Sequence, residues 1–174
     1  MARAQALDYL HNMRFHVSAV ENFIPLNTTN AQAGFSAVTI PEASVEAVEY
    51  REGQFLYTRK YPGHVTFNNI TMSRGVARKD ASFWEWMRTV IEGTAEYRTE
   101  LLIKHFHRAD TLPGASQPPA ENLNLAVPAK TYKVWQAFPV RHKMSSDLDA
   151  TDSSVSIAEL DIAYEHCDMS EEGL

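Results

Sequence analysis

One stretch of this sequence carries the period of an amphipathic helix, and most of the remaining patterned sequence alternates with period two. Over residues 83–92, Phe83, Trp84, Met87, Val90 and Ile91 recur at i, i+1, i+4, i+7 and i+8, which is one apolar face. Ser82 and Glu85 have the spacing of a capping box, and Gly93 supplies a stop. About three turns cannot persist alone, so the stripe must dock on a sheet. Phe83 and Trp84 are then expected in the core. Trp86, off the main stripe, suits an exposed anchor and a wide buried face equally well.

The sheet is written around that helix. Residues 14–20, 34–40, 45–50, 64–73, 97–106, 132–140 and 155–164 read as strands, rich in β-branched and aromatic residues with polar alternates. Gly53 marks a turn, and 54–63 reads as a loop or extended hairpin closed by Pro62-Gly63. In 64–73 the alternation of Val65 and Phe67 passes to Ile70 and Met72, a slip of one residue at Asn68-Asn69 that a β-bulge would absorb. Strands, one helix, then strands predict a mainly β fold of antiparallel pairs with a single packed helix, and the absence of βαβα alternation argues against a doubly wound nucleotide fold. The expected organisation is an N-terminal arm over 1–13, a β domain over 14–166 and an acidic tail over 167–174. Within the domain, 107–129 holds four of the eight prolines (Pro113, Pro118, Pro119, Pro128) and reads as an insertion loop.

Composition narrows the function classes. The 174 residues fit one domain, and 44 % hydrophobic content is enough for a core. A net charge of −6 argues against nucleic acid as the main partner, since phosphate binding needs a cationic surface; Arg51, Arg59, Lys60, Arg74, Arg78 and Lys79 read as loop charges facing acidic neighbours. Cys167 is the only cysteine, so no internal disulfide is expected and a reducing compartment suits folding. No apolar run of membrane-spanning length occurs, and the N-terminus lacks the features of a secretory leader, so cytoplasmic synthesis without membrane insertion is the expectation.

Candidates for chemistry are weak. His105 and His107 sit at i, i+2 at a strand end, but two ligands do not make a zinc site. His166 and Cys167 are neighbours, which on a strand sends them to opposite faces. Asp147 and Asp149 lie in a turn-like polar stretch where Asp commonly bonds the backbone. No glycine-rich phosphate loop or nucleophile elbow is present. No catalytic residue, cofactor or metal is expected.

Several segments, in order, resemble the phage tail-tube family that includes the inner-tube proteins of contractile injection systems. They are Phe15-His16-Val17, Gly34-Phe35-Ser36-Ala37-Val38, Val48-Glu49-Tyr50-Arg51-Glu52-Gly53, Arg59-Lys60-Tyr61-Pro62-Gly63 and Asn69-Ile70-Thr71-Met72-Ser73-Arg74-Gly75-Val76 leading to Phe83-Trp84-Glu85-Trp86. Late in the chain come Ala137-Phe138-Pro139-Val140, Asp147-Leu148-Asp149-Ala150 and Val155-Ser156-Ile157-Ala158-Glu159-Leu160. The resemblance covers roughly 14–166 apart from 107–129, which is longer and richer in proline than the family's short turn. It implies two antiparallel sheets packed as a barrel-like sandwich with one short helix at the side, as in the ring protein of type VI systems. It also implies hexameric rings stacked into a hollow tube inside a contractile sheath. Partners implied are further copies of the chain, sheath, baseplate, tube initiator, terminating cap and protein cargo in the lumen, with nucleic acid a partner only in a true phage tail. The particle implied is cytoplasmic or released.

Through the resemblance, Arg51, Glu52, Gly53, Tyr57, Arg59, Lys60, Pro62 and Gly63 become candidate contacts between subunits or rings. Two other readings stay open: a tube-initiator ring at the baseplate, and a small β-barrel that binds a ligand. A binding barrel would fill its interior with apolar residues, whereas Arg14, His16, Ser18, Thr66 and Asn68 are polar alternates that suit a wet channel or a solvent face.

Overall fold

Alternation needs partners, and the chain supplies them almost entirely through antiparallel pairing. The computed structural model describes residues 10–20, 34–77, 81–94, 96–106, 128–151 and 153–170. The elements are β1 (Phe15–Ala19), β2 (Phe35–Val38), β3 (Ala43–Tyr50), β4 (Arg59–Phe67), β5 (Ile70–Gly75), α1 (Ser82–Ile91), β6 (Thr99–His105), β7 (Lys130–Lys143), β8 (Ile157–Ala163) and β9 (His166–Ser170). The insertion expected over 107–129 and the N-terminal arm lie largely outside the described residues.

Seven strands form the body in the order β1-β6-β7-β8-β5-β2, with β9 paired to β7. The 14-residue β7 makes the corner between two sheets. Its first half pairs with β6 and β9, and its second half, from Phe138, pairs with β8. Register shifts opposite Thr99–Leu101 and at Pro139–Arg141 bend it, and Gln136 at φ 54° takes the left-handed conformation at the first shift. Bulges are how a strand passes from one sheet to another in a sandwich. The result is the expected two-sheet sandwich, but the sheet does not close into a barrel among the described residues: β1 and β2 end the strand order unpaired with each other.

The inner faces meet in a packed core. Val17, Ile70, Met72, Leu101, Ile103, Val134, Leu160 and Ile162 are each at most 1 % exposed. An open cavity of about 380 Å³, lined by Phe15, Val38, Ile103 and Tyr132 among others, borders this packed apolar surface. Removing this apolar surface from water supplies the main driving force for folding.

Three sequence expectations need correction. First, the slip at Asn68-Asn69 is not a bulge within one strand. β4 ends at Phe67 in a separate two-stranded sheet, and β5 begins at Ile70 in the body. Alternation changes phase because the chain changes sheet. Asn68 makes the joint, donating from its backbone N–H to the Glu42 carbonyl (3.1 Å) and from Nδ2 to the Glu42 carboxylate (2.8 Å).

Second, α1 presents a different face. Phe83 and Trp86 are buried, while Trp84 is 39 % and Ile91 62 % exposed. Apolar residues at 83, 84, 86, 87, 90 and 91 offer two overlapping faces. The face that wins gives the Trp86 indole N–H a partner, the Tyr97 carbonyl at 3.0 Å. Trp84 stacks instead on the His142 ring, 6.3 Å between centroids.

Third, no capping box forms. The helix is capped at Ala81 without a side-chain bond. Ser82 lies one residue too far along, and its buried hydroxyl accepts from Arg74 Nη2 at 2.6 Å. Arg74, 7 % exposed, also lies over the Phe83 ring at 3.7 Å, so this corner tethers helix to sheet.

Candidate functional site

The two-stranded sheet of β3 and β4 is the part of the fold that the body does not explain. All eight residues of β3 are exposed, as are all of β4 except half-buried Gly63 and Phe67. A lone two-stranded ribbon is marginal in water, and this one shows apolar side chains on both faces. The register sets Val45 opposite Val65 and Ala47 opposite Pro62 on one face, and Val48 opposite Tyr61 on the other. Val45, Val48, Tyr50, Tyr61 and Val65 are 48–55 % exposed. Surface apolar residues are ordinary when scattered; a continuous two-faced set on a projecting ribbon marks an interaction surface.

Cross-strand polar pairs stiffen the ribbon. The Ser44 and Thr66 hydroxyls bond at 2.7 Å, and Lys60 meets Glu49 at 3.2 Å. At the root, the Phe67 ring packs on Tyr164 (5.5 Å) and edge-on to His166 (6.2 Å). At the tip, the Phe55 N–H donates to the Glu52 carbonyl across the turn at Gly53 (3.1 Å), and the Arg59 guanidinium lies 4.1 Å over the Phe55 ring. These contacts leave Leu56 88 % and Tyr57 82 % exposed at the apex.

The structure thus brings all eight sequence-derived contact candidates, Arg51, Glu52, Gly53, Tyr57, Arg59, Lys60, Pro62 and Gly63, onto the outer part of one ribbon. Contrary to the expectation that Pro62-Gly63 closes the hairpin, both lie inside β4. Between the Val45–Val65 and Ala47–Pro62 pairs, β4 carries one residue more than β3, a bulge at Gly63-His64. A Cβ on Gly63 would sit 2.9 Å from Val48 Cγ2 and 3.1 Å from the Glu46 carbonyl oxygen. Gly63→Ala is therefore expected to destabilise the ribbon by about 1–3 kcal/mol while leaving the body's melting temperature unchanged. Hydrogen exchange would show faster ribbon amides only.

Sequence reasoning missed Phe55, Leu56 and the apolar stripes of Val45, Val48 and Val65. The available signal was that β3 and β4 place apolar residues at both parities, which a strand with one buried face does not do.

The other candidates take ordinary places. His105 Nε2 lies 2.9 Å from the His11 carbonyl, and His107 is outside the described residues. His166 stacks on Trp135 at 5.1 Å, and half-buried Cys167 packs against the core. Asp149 accepts from the Thr151 N–H (2.9 Å) and hydroxyl (2.8 Å), which hold its carboxyl below the usual range. The outer sheet face is charge-compensated: Arg141 bridges Glu159 and Asp161, each at 3.1 Å.

Two histidines are sensitive to acid. Burial, with Lys104 nearby, lowers the pKa of His16; burial, with Arg74 nearby, lowers that of His142. The Nδ1 atoms of both are buried without a hydrogen-bond partner among the described residues. The unfolded chain takes up these protons first as pH falls, so stability is full above about pH 6.5 and is lost as pH drops through the lower folded-state values. Thermal unfolding is expected at lower temperature at pH 5 than at pH 7.5, and His142→Gln should flatten part of that slope.

The comparisons with known proteins agree with this architecture. The family profile described as T4-like virus tail tube protein gp19 matches residues 11–168. No curated protein sequence matches the chain significantly. A chain of the PVC sheath-tube complex in the extended state, from an extracellular contractile injection system, is similar with a TM-score of 0.73 and 21 % identity over 98 % of this chain and 99 % of that one. A chain of the anti-feeding prophage baseplate gives 0.68 and 21 % over 92 % and 95 %, and one of that particle's tube-terminating cap gives 0.68 and 19 % over 97 % and 96 %. At such identities the structural likeness concerns the fold.

Proposed function

Because the chain belongs to the T4-like virus tail tube protein family, we propose that it is an inner-tube subunit of a phage-tail-like contractile injection system. In this reading copies close laterally into hexameric rings, and rings stack into a hollow tube within a sheath, between a baseplate and a terminating cap. The lumen carries protein cargo, and the role is structural with no reaction assigned. The observation that carries the proposal is the β3–β4 ribbon, exposed on both faces and apolar on both. Such a surface calls for cover by another chain, and a repeating assembly provides it at every copy. The outer edges of β1 and β2, unpaired among the described residues, support the same reading, since unpaired strand edges invite pairing between subunits. Arg51, Glu52, Gly53, Tyr57, Arg59, Lys60, Pro62 and Gly63 are the proposed contacts.

Negative-stain electron microscopy of the purified protein, beside its mass in solution, tests this. Hexameric rings or stacked hollow tubes are expected. Rings that never stack would assign the chain to a single-ring role such as tube initiation at a baseplate. A monomer over a wide concentration range, also in the presence of sheath and baseplate proteins, would overturn the tube reading.

A further inference from the structure

The start of α1 rests on a histidine. The His142 ring meets the Phe83 ring edge-on, 5.9 Å between centroids, and stacks on Trp84 at 6.3 Å. His142 pairs in register with Leu160, and Arg74 with Ala158. Both side chains therefore share the inner face of the sheet, on either side of β8. The Arg74 guanidinium lies 3.7 Å over the same Phe83 ring and donates to Ser82. Further along, α1 has a separate anchor in Trp86, which donates to the Tyr97 carbonyl. An open cavity of about 260 Å³, bordered by Arg74, Phe83, Trp84, His142 and Met144 among others, lets water reach the junction of helix and sheet.

This junction suits a neutral imidazole and not an imidazolium. An imidazolium carries a proton on both ring nitrogens. Nδ1 of His142 is buried with no hydrogen-bond partner among the described residues, so a donor there has no acceptor. Arg74 adds positive charge from β5. The first turn of α1, which carries Phe83 and Trp84, adds the partial positive charge of a helix N-terminus.

The other charged groups of these elements are engaged elsewhere or face solvent. Arg141 and Lys143, on the same strand as His142, alternate to the outer face with their register partners Asp161 and Glu159. Arg141 bridges those two carboxylates, and Lys143 lies 3.9 Å from Asp147. On α1, Glu85 is exposed and Arg88 pairs with Glu92 at 2.7 Å. Stacking on Trp84 returns little to a protonated ring, since 6.3 Å exceeds the roughly 6 Å reach of a cation–π contact.

We propose that His142 is an acid-operated latch: its neutral ring holds the first turn of α1 on the sheet, and its protonation releases that turn while the sheets and the Trp86 anchor stay in place. The latch is independent of the tube reading. Its sign follows from linkage. Burial, and then Arg74, keep the docked ring below the ordinary histidine value of 6.5, whereas a released ring regains it. Docking is fully favoured above about pH 6.5 and loses ground as pH falls towards the lower docked value.

Native-state hydrogen exchange on the full chain at pH 7.5 and pH 5, corrected for intrinsic rates and repeated in low urea, tests this. The reporter is the Glu85 amide, which closes the first turn on the Ala81 carbonyl at 2.8 Å. Its protection is expected to fall by up to about thirtyfold at pH 5, the ratio that 1.5 pH units below the ordinary value give. At pH 5 its exchange should depend little on urea, as a local opening does, whereas the Leu160 amide in the sheet should keep the steep urea dependence of global unfolding. In His142→Gln the pH effect at Glu85 should disappear. A Glu85 amide that opens only with Leu160, or a pH effect that persists in His142→Gln, would overturn the latch. A side-chain titration of His142 by NMR in the unsubstituted chain checks it without any variant: a midpoint below the ordinary range is expected, and one at or above 6.5 would also overturn it.

Discussion

Replacing Leu56 and Tyr57 together by aspartate is expected to abolish polymerisation and leave the folded subunit unchanged. The two side chains are 88 % and 82 % exposed, so they contribute little to the stability of the isolated chain. Ribbon and body meet at the root, through Phe67 and Asn68, far from the substitutions. Thermal unfolding should therefore shift by no more than a degree or two, as for surface changes within about 0.5 kcal/mol. Assembly is another matter. Covering an apolar side chain contributes about 1.5–3 kcal/mol, so losing two per contact is worth about 3–6 kcal/mol. A tenfold change corresponds to about 1.4 kcal/mol, which makes the critical concentration rise at least a hundredfold. The two new carboxylates add a desolvation cost. Sedimentation at increasing protein concentration reads the result. Filaments formed by the variant at the unsubstituted protein's concentration would remove the ribbon tip from the contact, whichever surface receives it.

The second large effect concerns two tryptophans separated by a single residue. Trp86→Ala is expected to cost about 3–5 kcal/mol, the range for deleting a large buried aromatic side chain. Trp86 is 0 % exposed and donates to the Tyr97 carbonyl, so the substitution opens a cavity and strands a buried acceptor. Domains of this size hold roughly 5–15 kcal/mol in total, so the variant should be close to unfolding at physiological temperature. Trp84→Ala should cost about 1 kcal/mol or less, because that ring is 39 % exposed and only stacks on His142. Urea denaturation of both variants separates the two faces of α1. Equal losses would show that the helix docks through the face spanning Phe83 and Trp84.

That pair of residues also shows how sequence and fold divide the information. Period-two alternation located six strands to within a few residues, because a half-buried strand must place its apolar residues on one side, while the stretch 64–73 merged the end of β4 with β5; the 3.6-residue period located the helix. It did not fix the helix's rotation. Six apolar residues among ten fit two docking directions, and the choice fell to the Tyr97 carbonyl, contributed from outside the helix. Ser82 is a similar case: the local pattern offered a cap, and the buried Arg74, eight residues earlier, took the hydroxyl instead. Residues 167–174 read as an acidic tail, and only β7 beside them makes a strand of His166–Ser170.

The candidate surface was legible in part. The segment from Arg51 to Gly63 stood out through the tail-tube resemblance, and the structure gathers it on one ribbon. Its apolar flanks were visible as letters but not as a surface, because Val45, Val48 and Val65 read like core residues until the sheet holding them proves to have no second layer among the described residues. By itself the sequence determined the fold class, most of the strand positions and the family, since these depend on local periodicity and on short motifs in a fixed order along the chain. Tertiary structure alone decided which apolar residues remain uncovered and which end of the subunit faces away from the ribbon, because burial is settled by residues far apart in sequence: Gly75 beside Ile157, Phe67 on Tyr164, and all eight residues of β3 left exposed.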